Sequence, residues 1–467
     1  MSGLFGVASR RECVEDLFYG TNYHSHLGTE FAGLAVRGRR IVKKIHEIRM
    51  SQFKSRFWSE MPHLRGTSGI GVISDRDPQP IVIDSKFGTC AIAVCGFIAN
   101  SHRLARKLLS EGESFSDSFN GRINAAELAA KLINRGATIP DGIAKMFAAI
   151  EGSCTLLMLT ADGIWAARDR LGYFPLTIGR AEHGWAAASE TTAFPNLGFQ
   201  VVRHLGPGEI VRFTPSGIAE ETSPRKIRQI CAFLWVYTGF PASNYEGMNV
   251  EVVRERCGRF LAKRNGVEAD LVAGIPDSGT THAIGYAMES GIPLRRPLVK
   301  YTPGFDRSYT PLTQSIRDLI AKMKLVAVRE VIAGNRIVLC DDSIVRGTQL
   351  KNYTIKKLWD SGAREIHLRI ACPPLMFPCR FNYSTRSAAE LAARRAIRAL
   401  GGDERRPAAF LQERSSQFRQ MVQHIASELG VTSLAYQRLD DMVEAIGLPA
   451  QELCFYCWTG EVPPTQR

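Results

Sequence analysis

Residues Arg336 to Leu350, RIVLCDDSIVRGTQL, constrain the fold of this chain more than any other stretch. Ile337, Val338, Leu339 and Cys340 form a short apolar run, the pattern of a strand buried on both faces of a parallel sheet. Asp341 and Asp342 follow at once, then a loop of small residues from Ser343 to Thr348. A helical pattern comes next, with Leu350, Ile355, Leu358 and Trp359 on one side and Gly362 placed to end it. Strand, acidic pair, loop and helix together make a phosphate site. Loop N–H groups and the helix N-terminus suit an anion, and Ser343 and Thr348 add hydroxyl donors. The two carboxylates cannot take that phosphate. They suit ribose hydroxyls or a Mg2+ ion carried by a diphosphate.

The full string is more specific than a turn containing Asp, Ser and Gly. It resembles the phosphoribosyl diphosphate (PRPP) loop of phosphoribosyltransferases, and IVLCDDSIVRGT is most similar to the amidophosphoribosyltransferase family of purine synthesis. The resemblance implies that Asp341, Asp342, Ser343, Ile344, Val345, Arg346, Gly347 and Thr348 line a PRPP site.

With 467 residues, two or three domains are expected. Hydrophobic residues make up 45% and charged residues 22%, which excludes a disordered chain. The start, MSGLFGVASRRE, has too short an apolar stretch for a signal peptide, and no apolar run is long enough to span a membrane. A cytoplasmic protein without a membrane partner is the expectation. The net charge of +13 suits phosphorylated substrates or nucleic acid. Part of it lies in Arg394, Arg395, Arg398, Arg405 and Arg406, which read as a solvated helix face and loop. The 11 cysteines read as thiols or metal ligands, not as a disulfide framework.

Residues 1–226 alternate short apolar runs (Gly3 to Ala8, Ala32 to Val36, Gly69 to Ile73, Cys90 to Ile98, Cys154 to Thr160, Gly163 to Ala167) with turn residues. Helical spacing appears at Ala125 to Ile133 and Gly142 to Ile150. An α+β domain with stacked sheets follows. MSGLFGV, HLGTEFAGLAV and AARDRLGYFPLTIGR resemble the glutaminase domain of the same family, an N-terminal-nucleophile hydrolase fold of αββα layers. In that family a cysteine after the initiator Met attacks the glutamine amide, with its own amino group as base. Here that position is Ser2. The glutamine-binding arginine falls on Ser74, the His-Asn-Gly-Asn oxyanion segment on Val94, Cys95, Gly96 and Phe97, the substrate-binding Asp on Ala125, and the Arg of His-Arg-Gly on Leu27. Loss of the oxyanion donor alone removes about 2.7–4 kcal/mol of transition-state stabilisation. The expectation is a domain without glutaminase activity. Ser2 acting as an acylase on another amide is the rival reading.

Residues 227–467 alternate strand and helix, the order of an α/β parallel sheet with ligands at strand C-termini. The resemblance implies a type I phosphoribosyltransferase domain. Leu271 to Ile275 reads as a strand, and Thr281 to Ser290 as a helix closed by Gly291. Between them Asp277, Ser278 and Gly279 of GIPDSG correspond to the family's diphosphate loop. The family often has a Mg2+-binding hydroxyl residue where this chain has Gly279, with Ser278 as substitute. Val299 to Tyr301 opens a longer polar segment, and Ile366 to Ala371 reads as the next strand. Lys300 to Arg329 resembles the family's flap over PRPP. Arg307, Thr313, Gln314, Arg317, Lys324, Leu325 and Arg329 match family positions, whereas Met323, Val326 and Ala327 depart from them. A solvated basic helix and loop is the plainer reading of the segment.

Cys454 and Cys457 form a CxxC, half a site for Zn2+, an iron–sulfur cluster or a redox disulfide. The resemblance adds Cys231 and Cys379 and implies a [4Fe–4S] cluster. Four thiolates also suit Zn2+. Cys13, Cys154, Cys257 and Cys340 read as buried small apolar residues. The function implied is ammonia-dependent transfer to PRPP with Mg2+, forming 5-phosphoribosylamine. Ammonia would come from solution or a separate glutaminase, with purine nucleotides as effectors and a homo-oligomer as the assembly. The alternative is a non-catalytic PRPP or nucleotide sensor on the same fold. No added helix-turn-helix segment is visible, so nucleic acid is not an expected partner.

Overall fold

The computed structural model describes residues 1–49, 51–116, 118–119, 121–301, 323–382, 387–404 and 407–462. Arg307, Thr313, Gln314, Arg317, Arg405 and Arg406 lie outside the described residues.

The first half is built on two sheets. One runs in the order Gln200–His204, Thr177–Ala181, Gly184–Ala188, Gly3–Ser9, Ser68–Ser74, Phe31–Arg37, Ile41–Glu47. The other runs Gly217–Thr222, Ile210–Thr214, Gly163–Ala167, Thr155–Thr160, Gly88–Cys95, Ile81–Ser85. All their pairings are antiparallel, so alternate residues point to opposite faces. Leu4, Ile70 and Val72 from one sheet meet Ala91, Leu157 and Ile164 from the other in a shared core. The opposite faces are covered by helices. Val14–Asn22 packs with Phe5 and Val7 on the first sheet, and Ala125–Ile133 and Ile139–Ala149 cover Ile92, Leu156 and Met158 on the second. This is the αββα layering of an N-terminal-nucleophile hydrolase. Asn124 caps Ala125–Ile133 by accepting from Ala126 N, and Thr138 caps Ile139–Ala149 by accepting from Asp141 N. The second helix starts three residues before the expected Gly142, because Thr138 and Pro140 give it a start signal upstream of the apolar spacing.

The second half has a four-stranded sheet in the order Leu271–Gly274, Arg336–Asp341, Glu365–Ile370, Ser433–Tyr436, every pair parallel. Ile337, Val338, Leu339 and Cys340 are fully buried, as a strand covered on both faces requires. One continuous apolar core unites this sheet with the helices Val250–Arg264, Thr280–Ser290 and Ser416–Leu429.

Two expectations are corrected. Arg394 is not on a solvated face: it is 5% exposed and donates to Met376 O at 2.6 Å, while Arg395 and Arg398 pair with Glu428 and Glu404. Trp359 is not on the buried side of its helix, since its indole reaches the rim to donate to Gly430 O at 2.8 Å. That helix opens with a π-helical turn, Leu350–Ile355, before Lys356–Asp360, and the wider turn shifts the phase of the residues behind it.

The halves are stitched together by buried polar groups. Glu190, fully buried, accepts from Tyr245 Oη (2.6 Å), Phe240 N (3.1 Å) and Ser243 Oγ (3.2 Å) and pairs with His26 (3.0 Å). Burial opposes its charge, yet His26, His24 and Tyr245 outweigh burial and hold the carboxyl below its ordinary range. Arg168, also fully buried, pairs with Glu246 at 2.6 Å, and Arg228 joins Glu246 to Glu452. Replacing Glu190 by Ala leaves the Tyr245 hydroxyl and the Phe240 N–H without their acceptor. Urea unfolding of Glu190→Ala is expected to show a loss of about 2–4 kcal/mol, with the stabilisation from Glu190 in the parent protein present at neutral pH and lost as pH falls through the depressed pKa.

Candidate active site

Strands Leu271–Gly274 and Arg336–Asp341 are neighbours and parallel, with Gly274 opposite Cys340, so the loops leaving their C-terminal ends lie side by side. Ile275 N donates to Cys340 O at 2.9 Å, and Gly279 N donates to Ile275 O at 2.9 Å. These bonds press the Pro276–Gly279 turn against the acidic loop. A Cβ at Gly279 would stand 2.3 Å from Cys340 O and 2.7 Å from Ile275 N, so a hydroxyl side chain has no room there. The Pro276–Asp277 peptide is cis. Asp277 points outward and pairs with Lys300 at 2.6 Å.

Asp341 ends its strand, held by the bond from Ala371 N to Asp341 O (2.9 Å). Asp342 is 6% exposed and accepts from Ser343 Oγ at 2.6 Å. Burial first, and repulsion and a shared hydrogen bond with Asp342 second, push the Asp341 carboxyl well above the usual range, with Lys324 opposing the shift. Asp341 therefore resists ionising beside Asp342. Behind it, Arg254 donates to the carbonyls of Trp235 (2.9 Å), Tyr237 and Gly239 (both 2.8 Å), within electrostatic reach of Asp342.

The rest of the loop presents backbone more than side chains. Ile344 is buried in the core, Val345 O accepts from Ala392 N, and Arg346 turns away to pair with Glu390. Gly347 has φ +75°, a conformation that favours glycine, and its carbonyl accepts from Lys351 N as the helix begins. Thr348 is exposed at that helix start.

At the other end of the chain, Ser2 Oγ accepts from Asp75 N at 3.3 Å, and the α-ammonium of Met1 pairs with the Asp75 carboxylate. Ser74 Oγ accepts from Arg76 N (3.3 Å) and Asp77 N (3.2 Å), so Ser74 builds a turn where the resemblance places an arginine. Gln79 fills the space beside it, accepting from Val94 N at 2.7 Å. Asp77 accepts from Ala125 N at 3.1 Å, and Cys95 Sγ donates to Ser2 O at 2.9 Å. The cavity among these groups is about 30 Å3, room for about two waters.

A glutamine amidotransferase domain family matches residues 67–196. The chain is 32% identical to the amidophosphoribosyltransferase of Methanocaldococcus jannaschii over 99% of its own length and 98% of the relative's. It is 31% identical to that of Bacillus subtilis, over 99% and 94%. Among solved structures, the glutamine PRPP amidotransferase from B. subtilis complexed with ADP and GMP superimposes with a TM-score of 0.85 at 30% identity, covering 99% of this chain and 97% of that one. The chain belongs to the amidophosphoribosyltransferase family.

In this amidophosphoribosyltransferase homologue the four cysteines singled out by sequence converge from three segments. Cys231 lies opposite Cys454 in a two-stranded parallel ladder, Ile230–Cys231 with Leu453–Cys454. Cys457 O accepts from Met376 N (2.9 Å) and Phe377 N (3.0 Å), which brings the segment leading to Cys379 alongside. Burial, then mutual repulsion, pushes the Cys231 thiol up to about 12 and those of Cys454 and Cys457 well above their ordinary value. For Cys379 burial raises the pKa, while N–H groups of Phe381 and Asn382 oppose it. Among the described residues no group of three or more His, Cys, Asp or Glu is spaced to hold a single metal ion. Cys13, Cys154, Cys257 and Cys340 are buried and unpaired in disulfides.

Sequence reasoning passed over Lys300 as an individual, together with Arg254, Asp75 and Gln79. The polar run SDRDPQP after the Gly69–Ile73 strand was the available signal for the rebuilt cleft. The acidic pair carries its own test. Because its raised pKa disfavours the charged form, the unliganded domain loses stability as pH rises above the ordinary carboxylate range. Asp341→Asn is expected to raise the melting temperature of unliganded protein by roughly 2–4 °C at pH 7.5, read by scanning calorimetry.

Proposed function

We propose that this chain transfers ammonia to PRPP, forming 5-phosphoribosylamine and diphosphate, and that its glutaminase half is inert. The observation that supports the transferase reading most is the juxtaposition of the Asp341–Asp342 loop and the Asp277–Gly279 loop at the ends of adjacent parallel strands. We place the functional division at residues 226/227, between the cleft around Ser2 and the phosphate loops.

In this reading the N–H groups of Ser343 to Thr348 and the helix they lead into hold the 5-phosphate. Asp341 and Asp342 take the ribose hydroxyls, and their negative charge favours the positive charge that develops on the ring. The N–H groups of Asp277 and Ser278 face the leaving diphosphate, while that of Gly279 holds the turn by its bond to Ile275 O. Lys324 supplies a cation near Asp341, and Arg307, which matches a family flap position, is a further candidate cation for the diphosphate. Mg2+ bound with PRPP would neutralise the diphosphate, and Asp341, Asp342 and Ser278 are the oxygens suited to hold it. Burial and the neighbouring Asp342 oppose the charging of Asp341, so binding of Mg2+–PRPP is expected to release a proton and to strengthen as pH rises through the Asp341 titration. Purine nucleotides are effectors in this proposal, in keeping with the ADP and GMP of the B. subtilis structure.

The inert half rests on three features. Ser2 stands where the family has a cysteine nucleophile, Ser74 is spent on a turn, and Gln79 occupies the N–H of Val94, the first residue of the segment that matches the family's oxyanion segment. Ammonia then comes from solution or from a separate glutaminase.

Cys231, Cys379, Cys454 and Cys457 would hold a [4Fe–4S] cluster: the four are free thiols within electrostatic reach of one another, and N–H groups point at Cys379 and Cys454. The cluster would tie the C-terminal segment to the junction between halves.

Purified protein with PRPP and Mg2+ should release diphosphate with ammonium chloride and none with glutamine. Asp341→Asn/Asp342→Asn should abolish the release, and glutamine-dependent turnover at comparable rate would overturn the inert half. Anaerobically purified protein should carry about four iron and four sulfide per chain, lost in Cys379→Ser; stoichiometric zinc would refute the cluster.

A further inference from the structure

The diphosphate loop contains a charge that works against its ligand. Asp277 stands in the turn whose N–H groups face the leaving diphosphate, and it is exposed on the ligand side of the sheet. Asp341 and Asp342 lie on the adjoining loop, joined to this one through the Ile275 N to Cys340 O bond. A diphosphate entering between the loops meets three carboxylates. Coulomb repulsion between unit charges a few ångströms apart in partly solvated surroundings is enough to weaken binding about tenfold.

The counter-charge comes from a separate element. Leu298–Lys300 pairs antiparallel with Leu325–Ala327, Lys300 opposite Leu325, and Tyr301 N donates to Lys324 O at 2.8 Å. This two-stranded ribbon is anchored by Lys357 Nζ on Leu325 O and by burial of Leu298 and Leu325. Its two lysines divide between the acidic elements. Lys324 acts electrostatically on Asp341, and Lys300 Nζ reaches Asp277 Oδ2 at 2.6 Å. The Lys300 side chain is 29% exposed while that of Asp277 is 72% exposed, so the lysine is the better held partner.

We infer that Lys300 is a positioning residue whose task is to neutralise Asp277, so that the diphosphate loop presents backbone N–H groups without a net negative charge. The inference rests on the PRPP reading of the two loops. It assigns Lys300 no contact with the diphosphate: the lysine acts through Asp277. An exposed ion pair of this kind contributes little to folding, so its effect falls on ligand affinity.

A double-mutant cycle on the full chain separates this role from its rivals. Lys300→Met keeps the stem length and removes the charge. It is expected to raise KM for PRPP about tenfold with kcat nearly unchanged. Asp277→Asn keeps the backbone N–H, leaves Lys300 as an unpaired cation beside the diphosphate loop, and should lower KM. In Asp277→Asn/Lys300→Met the defect should disappear, with KM within about twofold of the parent, because no uncompensated carboxylate remains. Inhibition by added diphosphate should follow the same order, and unchanged melting temperatures would show that the fold is not what moved. A double variant as impaired as Lys300→Met would overturn the inference and make Lys300 a direct diphosphate ligand. An unaltered KM in Lys300→Met would overturn it as well. Parent protein that releases no diphosphate would instead remove the PRPP reading, and this inference with it.

Discussion

The hydrogen bond from Ile275 N to Cys340 O sets the geometry on which the second half depends. It extends the pairing of two parallel strands by one step beyond their regular ends. The turn after the first strand and the acidic loop after the second are thereby locked against each other. Parallel strands buried on both faces deliver their loops to the same rim of the sheet, which is why ligands of such folds gather there. The closeness has a steric consequence at Gly279, where any Cβ would collide with the Cys340 carbonyl. It has an electrostatic one as well: carboxylates stand on both adjoining loops, and the two-stranded ribbon answers with Lys324 toward Asp341 and with Lys300 on Asp277.

The first half keeps its scaffold while its cleft is filled from within. Sheets, helices and caps depend on apolar alternation and on local hydrogen bonds such as those at Asn124 and Thr138. Ser74, Gln79, Asp77 and Asp75 satisfy one another, neighbouring backbone groups and the Met1 ammonium. Phe381, from the segment that carries Cys379, stacks on Tyr173 at 3.9 Å, and its carbonyl accepts from Ser153 Oγ at 2.6 Å. The half thereby packs directly against the phosphate-loop half, with Glu190 and Arg168 as buried joints.

Much of this was legible in the residues alone. The apolar run Ile337 to Cys340 marks a strand buried on both faces, and short apolar runs with two helical stretches mark an α+β half with stacked sheets, whose αββα layering came from the family resemblance. What escaped follows a physical pattern. Arg394 looks like one of a run of surface charges, and only the fold brings the Met376 carbonyl to it. Trp359 was misplaced because a π-helical turn breaks the 3.6-residue count. Lys300 and Asp277 are 23 residues apart, and Met1 and Asp75 are 74 apart; no local spacing announces either pair. Cys454 and Cys457 announce themselves as a CxxC, whereas Cys231 needed either the family resemblance or the ladder that sets it opposite Cys454.

The central claim is that the phosphate loops bind an activated sugar phosphate while the neighbouring cleft binds no glutamine. Titration calorimetry on one preparation tests both halves at once. The account predicts saturable heat with Mg2+–PRPP, accompanied by proton release that depends on buffer ionisation, and no heat with glutamine. Saturable glutamine binding, or no binding of Mg2+–PRPP, would contradict it.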